Sequence, residues 1–413
     1  MSNLKYWLWL TQRKGLAGQN GLRVLNHFGT PEQAYFADRG AYELVGGLPN
    51  EALRSLEDKR LDAADRILGD CDRLGIRLLT LQDAAYPERL AAIHQPPMVL
   101  YWKGKQIAFD EEAAIAIVGT RSATPYGIQV AARLSAGLAR SGALVVSGMA
   151  QGIDAAAIRG ALKAGGPVVS VLGGGIDVIY PKYHRELFED VAAVGALISE
   201  YPPGTETLGS HFPIRNRIIS GLSVGVVAVE SRSYGGTLLT VSHALDQDRE
   251  VFAGPGPIGA EESEGTNRLI QEGAAKLILN EDDILCEFMD RFPGRLRRLV
   301  PMEPEMERQR LDGAAVVPPR REPRRIKEEK KTAPPEAKEE YLRWADCKDK
   351  LTDDQRELLL VMDGGTFPAD DLVERTQIPA RRVLSALTLL QIQGYVTEES
   401  GKRFKAAVKL KME

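Results

Sequence analysis

Residues 114–119 read Ala-Ile-Ala-Ile-Val-Gly, and five more runs of the same kind follow. They are Ala-Leu-Val-Val-Ser-Gly at 143–148, Pro-Val-Val-Ser-Val-Leu-Gly-Gly-Gly at 167–175, Gly-Ala-Leu-Ile-Ser-Glu-Tyr at 195–201, Gly-Val-Val-Ala-Val-Glu at 225–230 and Glu-Val-Phe-Ala-Gly-Pro-Gly at 250–256. Each has the length of a buried strand and is rich in Val, Ile or Ala. Amphipathic intervals of helix length separate them, for example 127–141, 153–164 and 236–247. Strands apolar on both faces, alternating with helices, predict right-handed βαβ crossovers and a parallel sheet covered on both sides. The expected fold class is α/β: a doubly wound, Rossmann-like parallel sheet over residues 86–295, flanked by an N-terminal helical domain and a C-terminal winged helix.

Residues 1–85 alternate helical periodicity with Gly-containing turns. Leu4, Trp7 and Leu8 share one face and Leu22, Leu25 and Phe28 another, with breaks at Gly15–Gly21, Gly29–Pro31 and Gly46–Pro49. Asn50 is placed to cap the helix that begins near Glu51. Such a segment suits either a structural cap or a helix-hairpin-helix-like module; its cations Lys14, Arg23, Arg54 and Arg60 form no cluster. Residues 296–345 read as a flexible linker. Within them, residues 301–340 hold seven prolines, ten Lys/Arg, ten Asp/Glu and no aromatic side chain, too little apolar surface to offset chain entropy. Residues 346–413 predict three helices (Asp353–Asp363, Pro368–Arg375, Pro379–Gln393) and a hairpin turning at Ser400–Gly401, the winged-helix pattern. Val383, Leu384, Leu387 and Leu390 line one side of the third helix. Arg381 and Arg382 would face a DNA groove and Lys402 and Arg403 would sit on the wing. The segment nevertheless carries 11 basic and 12 acidic residues, so DNA reading and protein docking both stay open.

The chain has 413 residues, 53 Lys+Arg against 57 Asp+Glu and a formal charge of −4, which excludes a uniformly basic nucleic-acid coat. Three scattered cysteines, Cys71, Cys286 and Cys347, suit a reducing, cytoplasmic setting and make no thiolate metal cluster. The five histidines are equally dispersed. No run approaches the ~20 apolar residues of a membrane span, and the opening Met-Ser-Asn-Leu-Lys-Tyr-Trp-Leu-Trp-Leu reads as a buried helix rather than a leader.

Ligands of doubly wound sheets bind beyond the carboxyl ends of the strands. Residues 113–290 carry 13 Lys/Arg and 20 Asp/Glu, yet Arg121, Lys182, Arg215, Arg217 and Arg232 all fall in or just after those loops. Cations at one rim of an acidic body describe a focused polyanion site, unless Glu200, Glu230 or Asp177 neutralises them. The loop from Val118 to Gly127 offers backbone N–H groups at a helix start, and the Ser147–Asp154 and Ser231–Thr237 loops are small-residue turns. The first turn, Gly119-Thr-Arg, lacks the dinucleotide fingerprint, and Ser147-Gly148 ends the second strand without the ribose-binding acid. Asp154, Asp177 and Glu230 lie where a general acid or base would, but no nucleophile pairs with them by spacing.

In order, Val-Gly-Thr-Arg-Ser-Ala-Thr-Pro-Tyr-Gly (118–127), Ser-Gly-Met-Ala-Gln-Gly-Ile-Asp (147–154), Val-Leu-Gly-Gly-Gly-Ile-Asp-Val-Ile-Tyr-Pro-Lys (171–182), Phe-Pro-Ile-Arg-Asn-Arg (212–217) and Ser-Tyr-Gly-Gly-Thr-Leu-Leu-Thr (233–240) resemble the DprA/Smf family (DNA-processing protein A). That resemblance implies binding and protection of single-stranded DNA, loading of the RecA recombinase in natural transformation, and a homodimer through the Rossmann-like domain. It implies no enzymatic activity, cofactor, metal or membrane. It assigns Arg121 and Lys182 to strand phosphates, with Gly119, Asn216 and Arg217 lining the same pocket. With the flanking turns, the expected DNA-binding set is Gly119, Thr120, Arg121, Ser147, Gly148, Lys182, Arg215, Asn216, Arg217, Gly236 and Thr237. One departure is Ile158, where the family commonly has His; it is expected to pack against the sheet. The rival is a Rossmann-type nucleotide phosphoribohydrolase of the lysine-decarboxylase-like group, whose Pro-Gly-Gly-x-Gly-Thr-x-x-Glu pattern here meets Thr240 where the glutamate is wanted.

Overall fold

The computed structural model describes residues 3–297, 341–343, 351–362, 365–376, 378–392, 395–399, 403–407 and 409–411. They fall in two compact units, one within Met1–Val317 and one within Pro318–Glu413. The first is built on nine strands: β1 (Arg77–Thr80), β2 (Val99–Gly104), β3 (Ala114–Val118), β4 (Leu144–Ser147), β5 (Val168–Leu172), β6 (Ala196–Ser199), β7 (Gly225–Ala228), β8 (Glu250–Ala253) and β9 (Lys276–Leu277). Their order is β1-β2-β6-β5-β4-β3-β7-β8-β9. From β6 to β9 every pairing is parallel, and β2 alone runs against its neighbours β1 and β6.

Strand alternation divides the core into two layers. Ile115, Ile117, Val145, Leu197 and Val227 point to one face, beneath the helices Pro125–Arg140, Ile153–Lys163 and Arg185–Val194. Ala114, Ala116, Val146, Val169, Ile198 and Val226 point to the other, beneath the helices His211–Gly221 and Gly236–Asp246. Three of these helices, Pro125–Arg140, Ile153–Lys163 and Gly236–Asp246, lie within two residues of the intervals 127–141, 153–164 and 236–247 expected from periodicity. Ile158 is fully buried in the first layer, where an imidazole would have needed a polar partner.

The N-terminal helices pack onto that same layer. Trp7, Leu8 and Trp9 of the helix Leu4–Thr11 and Leu22 and Leu25 of the helix Gln19–Phe28 join one cluster with Val99 and Tyr101 of β2. Residues 77–80, expected among the helices, instead extend the sheet at its edge, so the division expected at residue 85 falls inside a continuous core. Asn50 is the first residue of the helix Asn50–Leu56 rather than its side-chain cap; Pro49 precedes it with no such hydrogen bond.

In the second unit, the helices Asp353–Val361, Ala369–Thr376 and Ala380–Ile392 pack Leu358, Leu372, Val383, Leu387 and Leu390 against Val396 and Phe404 of a three-stranded sheet. Thr366–Pro368, Arg403–Ala406 and Val396–Glu399 form that sheet in this order. This is a winged helix, and Thr352 and Gln355 close a capping box at its first helix. Leu384 points outward rather than joining Val383, being 52% exposed. Arg382 makes a bidentate pair with Asp354 at 2.7 and 2.8 Å instead of standing free. Tyr341–Arg343, expected in the linker, pairs in parallel with Lys409–Lys411. The rest of the expected linker from residue 298 to 340, the turn at Ser400–Gly401 and Lys402 lie outside the described residues.

Gly195 leads into β6 where the backbone passes directly under β5: a Cβ there would lie 1.8 Å from the Val168 carbonyl oxygen. Backbone cannot swing aside as a side chain can. Gly195→Ala is therefore expected to cost about 1–3 kcal/mol, read as a lower urea midpoint with unchanged slope.

Candidate nucleic-acid interface

The sheet grows from β3 toward β6 on one side and from β7 toward β9 on the other. The loops leaving the adjacent strands β3 and β7 therefore part toward opposite faces and open a crevice between them, the topological switch point of a doubly wound sheet. The crevice encloses about 330 Å³ and is lined by Gly119, Thr120, Arg121, Arg215, Asn216, Gly236 and Thr237, seven of the eleven expected residues. Gly119 is required there because a Cβ would meet the Ile153 side chain at 2.4 Å.

The five rim cations divide. Arg121 is exposed and lies over the Phe212 ring at 4.2 Å from its centroid, a cation–π contact. Lys182 opens the short turn Lys182–His184 and is exposed as well. Neither makes an ion pair among the described residues. Tyr180, two residues before Lys182, packs its ring 5.7 Å from Phe212, which brings the loop after β5 to the same mouth as Arg121.

The other three are committed internally. Arg215 is 3% exposed and donates to the carbonyls of Gly148 and Val171 at 2.7 and 2.6 Å, tying β4 and β5 to the helix His211–Gly221. It forms the crevice floor, and its Nε has no hydrogen-bond partner. Arg217 turns away from the mouth and pairs with Glu200 at 2.7 Å. Arg232 pairs with Glu262 at 2.6 Å and Glu261 at 3.4 Å. Ser147 and Gly148 are likewise braces rather than rim groups. The Ser147 hydroxyl donates to the Ile117 carbonyl, and the Gly148 N–H donates to Asp154. A Cβ on Gly148 would strike Arg215 at 2.1 Å.

Two buried carboxylates shape the loops. Asp154 accepts the N–H groups of Gly148 and Ala150 beside Arg215. Burial pushes its carboxyl up to about 6 against the opposing pull of Arg215, whose own value burial lowers to about 10. Glu230 accepts both the N–H and the hydroxyl of Thr124, the cap of the helix Pro125–Arg140, and leaves no room for any side chain at Gly127. The anion site expected at that helix start is thus already filled by the protein's own carboxylate. The open helix start is Gly236–Asp246, whose cap Gly235 supplies no side chain. Thr240, where the rival enzyme wants its glutamate, is a buried hydroxyl on the crevice wall.

The reading from charge alone passed over Phe212, whose ring carries the guanidiniums of Arg121 at 4.2 Å and Arg215 at 5.7 Å. An aromatic residue three positions before Arg215, one helical turn away on the helix His211–Gly221, is the signal the sequence offers for it.

The Rossmann-like sheet domain and the winged helix joined to it in one chain both match domains of a class of DNA-processing proteins. Residues 77–289 match the family DNA recombination-mediator protein A, and residues 331–402 match the DprA winged helix domain, which takes in Tyr341–Arg343. Protein Smf of Synechocystis is 32% identical over 98% of both chains. The DNA processing protein DprA of Bacillus subtilis is 41% identical over 55% of this chain and 76% of its own. The X-ray structure of DNA processing protein A from Streptococcus pneumoniae superposes with a TM-score of 0.62 at 33% identity, covering 68% of this chain and 97% of that one. The chain belongs to the DprA/Smf family of DNA-processing recombination mediators. Among the described residues no helix is long and apolar enough to cross a membrane.

Replacing Glu230 with Ala leaves the half-buried Thr124 N–H and hydroxyl without their acceptor. The expected cost is about 1–3 kcal/mol, with faster amide exchange at residues 119–127 than elsewhere in the sheet domain.

Proposed function

We propose that this chain binds and protects single-stranded DNA at the mouth formed by the loops after β3, β5 and β7, and passes it to the RecA recombinase, acting as a homodimer through the Rossmann-like domain. The observation that supports the DNA reading is Arg121, exposed at the crevice with no ion pair among the described residues, together with Lys182, equally exposed and unpaired on the loop whose Tyr180 packs on Phe212, while Arg217 and Arg232 are paired with carboxylates. An exposed guanidinium and ammonium over glycine-lined walls suit a flexible phosphodiester chain, with counterion release as the driving force. RecA loading and the dimer are taken from the family. One crevice of this size covers only a few nucleotides, and two linked crevices gain affinity by effective concentration.

Arg121→Glu combined with Lys182→Glu is expected to lower affinity for oligo-dT by at least about tenfold and to reduce the magnitude of the slope of log K against log salt by about 1.4 or more, with an unchanged melting temperature. Equal binding by wild type and double variant in fluorescence anisotropy would overturn the assignment. Acidity supplies a second test. Below about pH 6 the Asp154 carboxyl is neutral while Arg215 keeps its charge, so the crevice floor becomes more positive. Phosphodiesters do not titrate in that range. Affinity should rise as pH falls through about 6, and Asp154→Asn should flatten the rise.

A further inference from the structure

The two walls of the crevice are chemically unlike. On the side of the helix His211–Gly221 stand Asn216 and Arg121, the latter over the Phe212 ring, and the loop that carries Lys182 reaches the same ring through Tyr180. On the β8 side the loop Ser231–Gly235 is clamped to the acidic start of the helix Glu261–Gln271. Arg232 bonds to Glu262, Ser233 donates to Glu264 at 2.9 Å, and the Gly265 N–H donates to the Ser231 carbonyl at 2.7 Å. No Cβ fits at Gly265, since it would lie 2.6 Å from the Arg232 carbonyl oxygen, so the two backbones are held in contact. Arg232, the one cation of this wall, is paired with Glu261 and Glu262, so the wall offers phosphate no free positive side chain.

At the tip of the clamped loop, between Arg232 and Gly235 of the crevice lining, stands Tyr234. Its side chain is 97% exposed, the most exposed aromatic ring among the described residues, and its hydroxyl makes no hydrogen bond. The other aromatic residues near the mouth are engaged. Tyr126 donates to the Pro255 carbonyl, Tyr183 donates to Gln151, Tyr180 packs on Phe212, and Phe212 is covered by guanidiniums. A large ring held in water on an immobilised backbone has a free π-face that packing does not explain.

Resting on the single-strand reading above, we infer that Tyr234 is the base-stacking residue of the site: the strand lies with its phosphates toward Arg121 and Lys182 and a base turned onto the Tyr234 ring. This wall then works as an orienting element, because a strand lying the other way round would set its phosphates where the one cation, Arg232, is already paired with Glu261 and Glu262. Stacking of this kind is indifferent to base identity, since every base has a π-face.

The test is anisotropy with the full chain and three variants on oligo-dT and on an abasic strand of equal length. Tyr234→Ala is expected to weaken oligo-dT binding about fivefold or more while leaving both the salt slope and the affinity for the abasic strand at wild-type values. Tyr234→Phe should retain binding, and Tyr234→Trp should retain it and show fluorescence quenching on addition of oligo-dT. Equal loss on both strands, or no loss on oligo-dT, overturns the stacking role. If Tyr234→Ala binds normally while the Arg121/Lys182 double variant does not, the stacking inference alone has failed. If wild type does not bind oligo-dT, the single-strand reading has failed with it.

Discussion

Everything at the mouth follows from one constraint of parallel sheets. A chain that adds β4, β5 and β6 on one side of β3 and returns to place β7 on the other must send the loops of β3 and β7 to opposite faces. The gap between them is not carved out by side chains; it is left by the backbone. Side chains decide only what the gap presents, and most of the polar ones nearby are spent on keeping it open. Glu230 fixes the loop after β3, Arg215 crosses beneath the floor to two strand ends, and Asp154 gathers the turn after β4.

That division of labour gives the site its electrostatic character. In a domain with more acidic than basic residues, a cation at the surface attracts a carboxylate unless geometry forbids it. Arg217 and Arg232 find theirs in Glu200 and Glu262. Arg121 is instead held over an aromatic ring, which steadies the guanidinium without cancelling its charge. It stays fixed in place yet available to a phosphate, a condition a salt-bridged arginine does not meet.

The winged helix shows the same competition with the opposite outcome. Arg382 sits on the helix that would enter a groove and is held by Asp354, while Leu384 on that helix faces water. With 12 acidic against 11 basic residues in 346–413, the one described arginine of that helix is thus neutralised within the domain rather than free.

Strand and helix alternation, the two-layer core, the winged helix and the family motifs were all legible in the sequence, because hydrophobic periodicity and glycine punctuation are local properties of the chain. Ile158 could be read as a packing residue for the same reason. The edge strand Arg77–Thr80 could not, since a four-residue strand becomes one only by pairing with β2. Nor could the sorting of the cations be foreseen. Arg215, Arg217 and Arg232 look like Arg121 in one dimension, and only the fold decides which carboxylate, carbonyl or ring comes within reach of each. Charge is written in the sequence, but whether it is neutralised depends on distances of a few ångströms between residues far apart in the chain. The tertiary structure alone sets those distances.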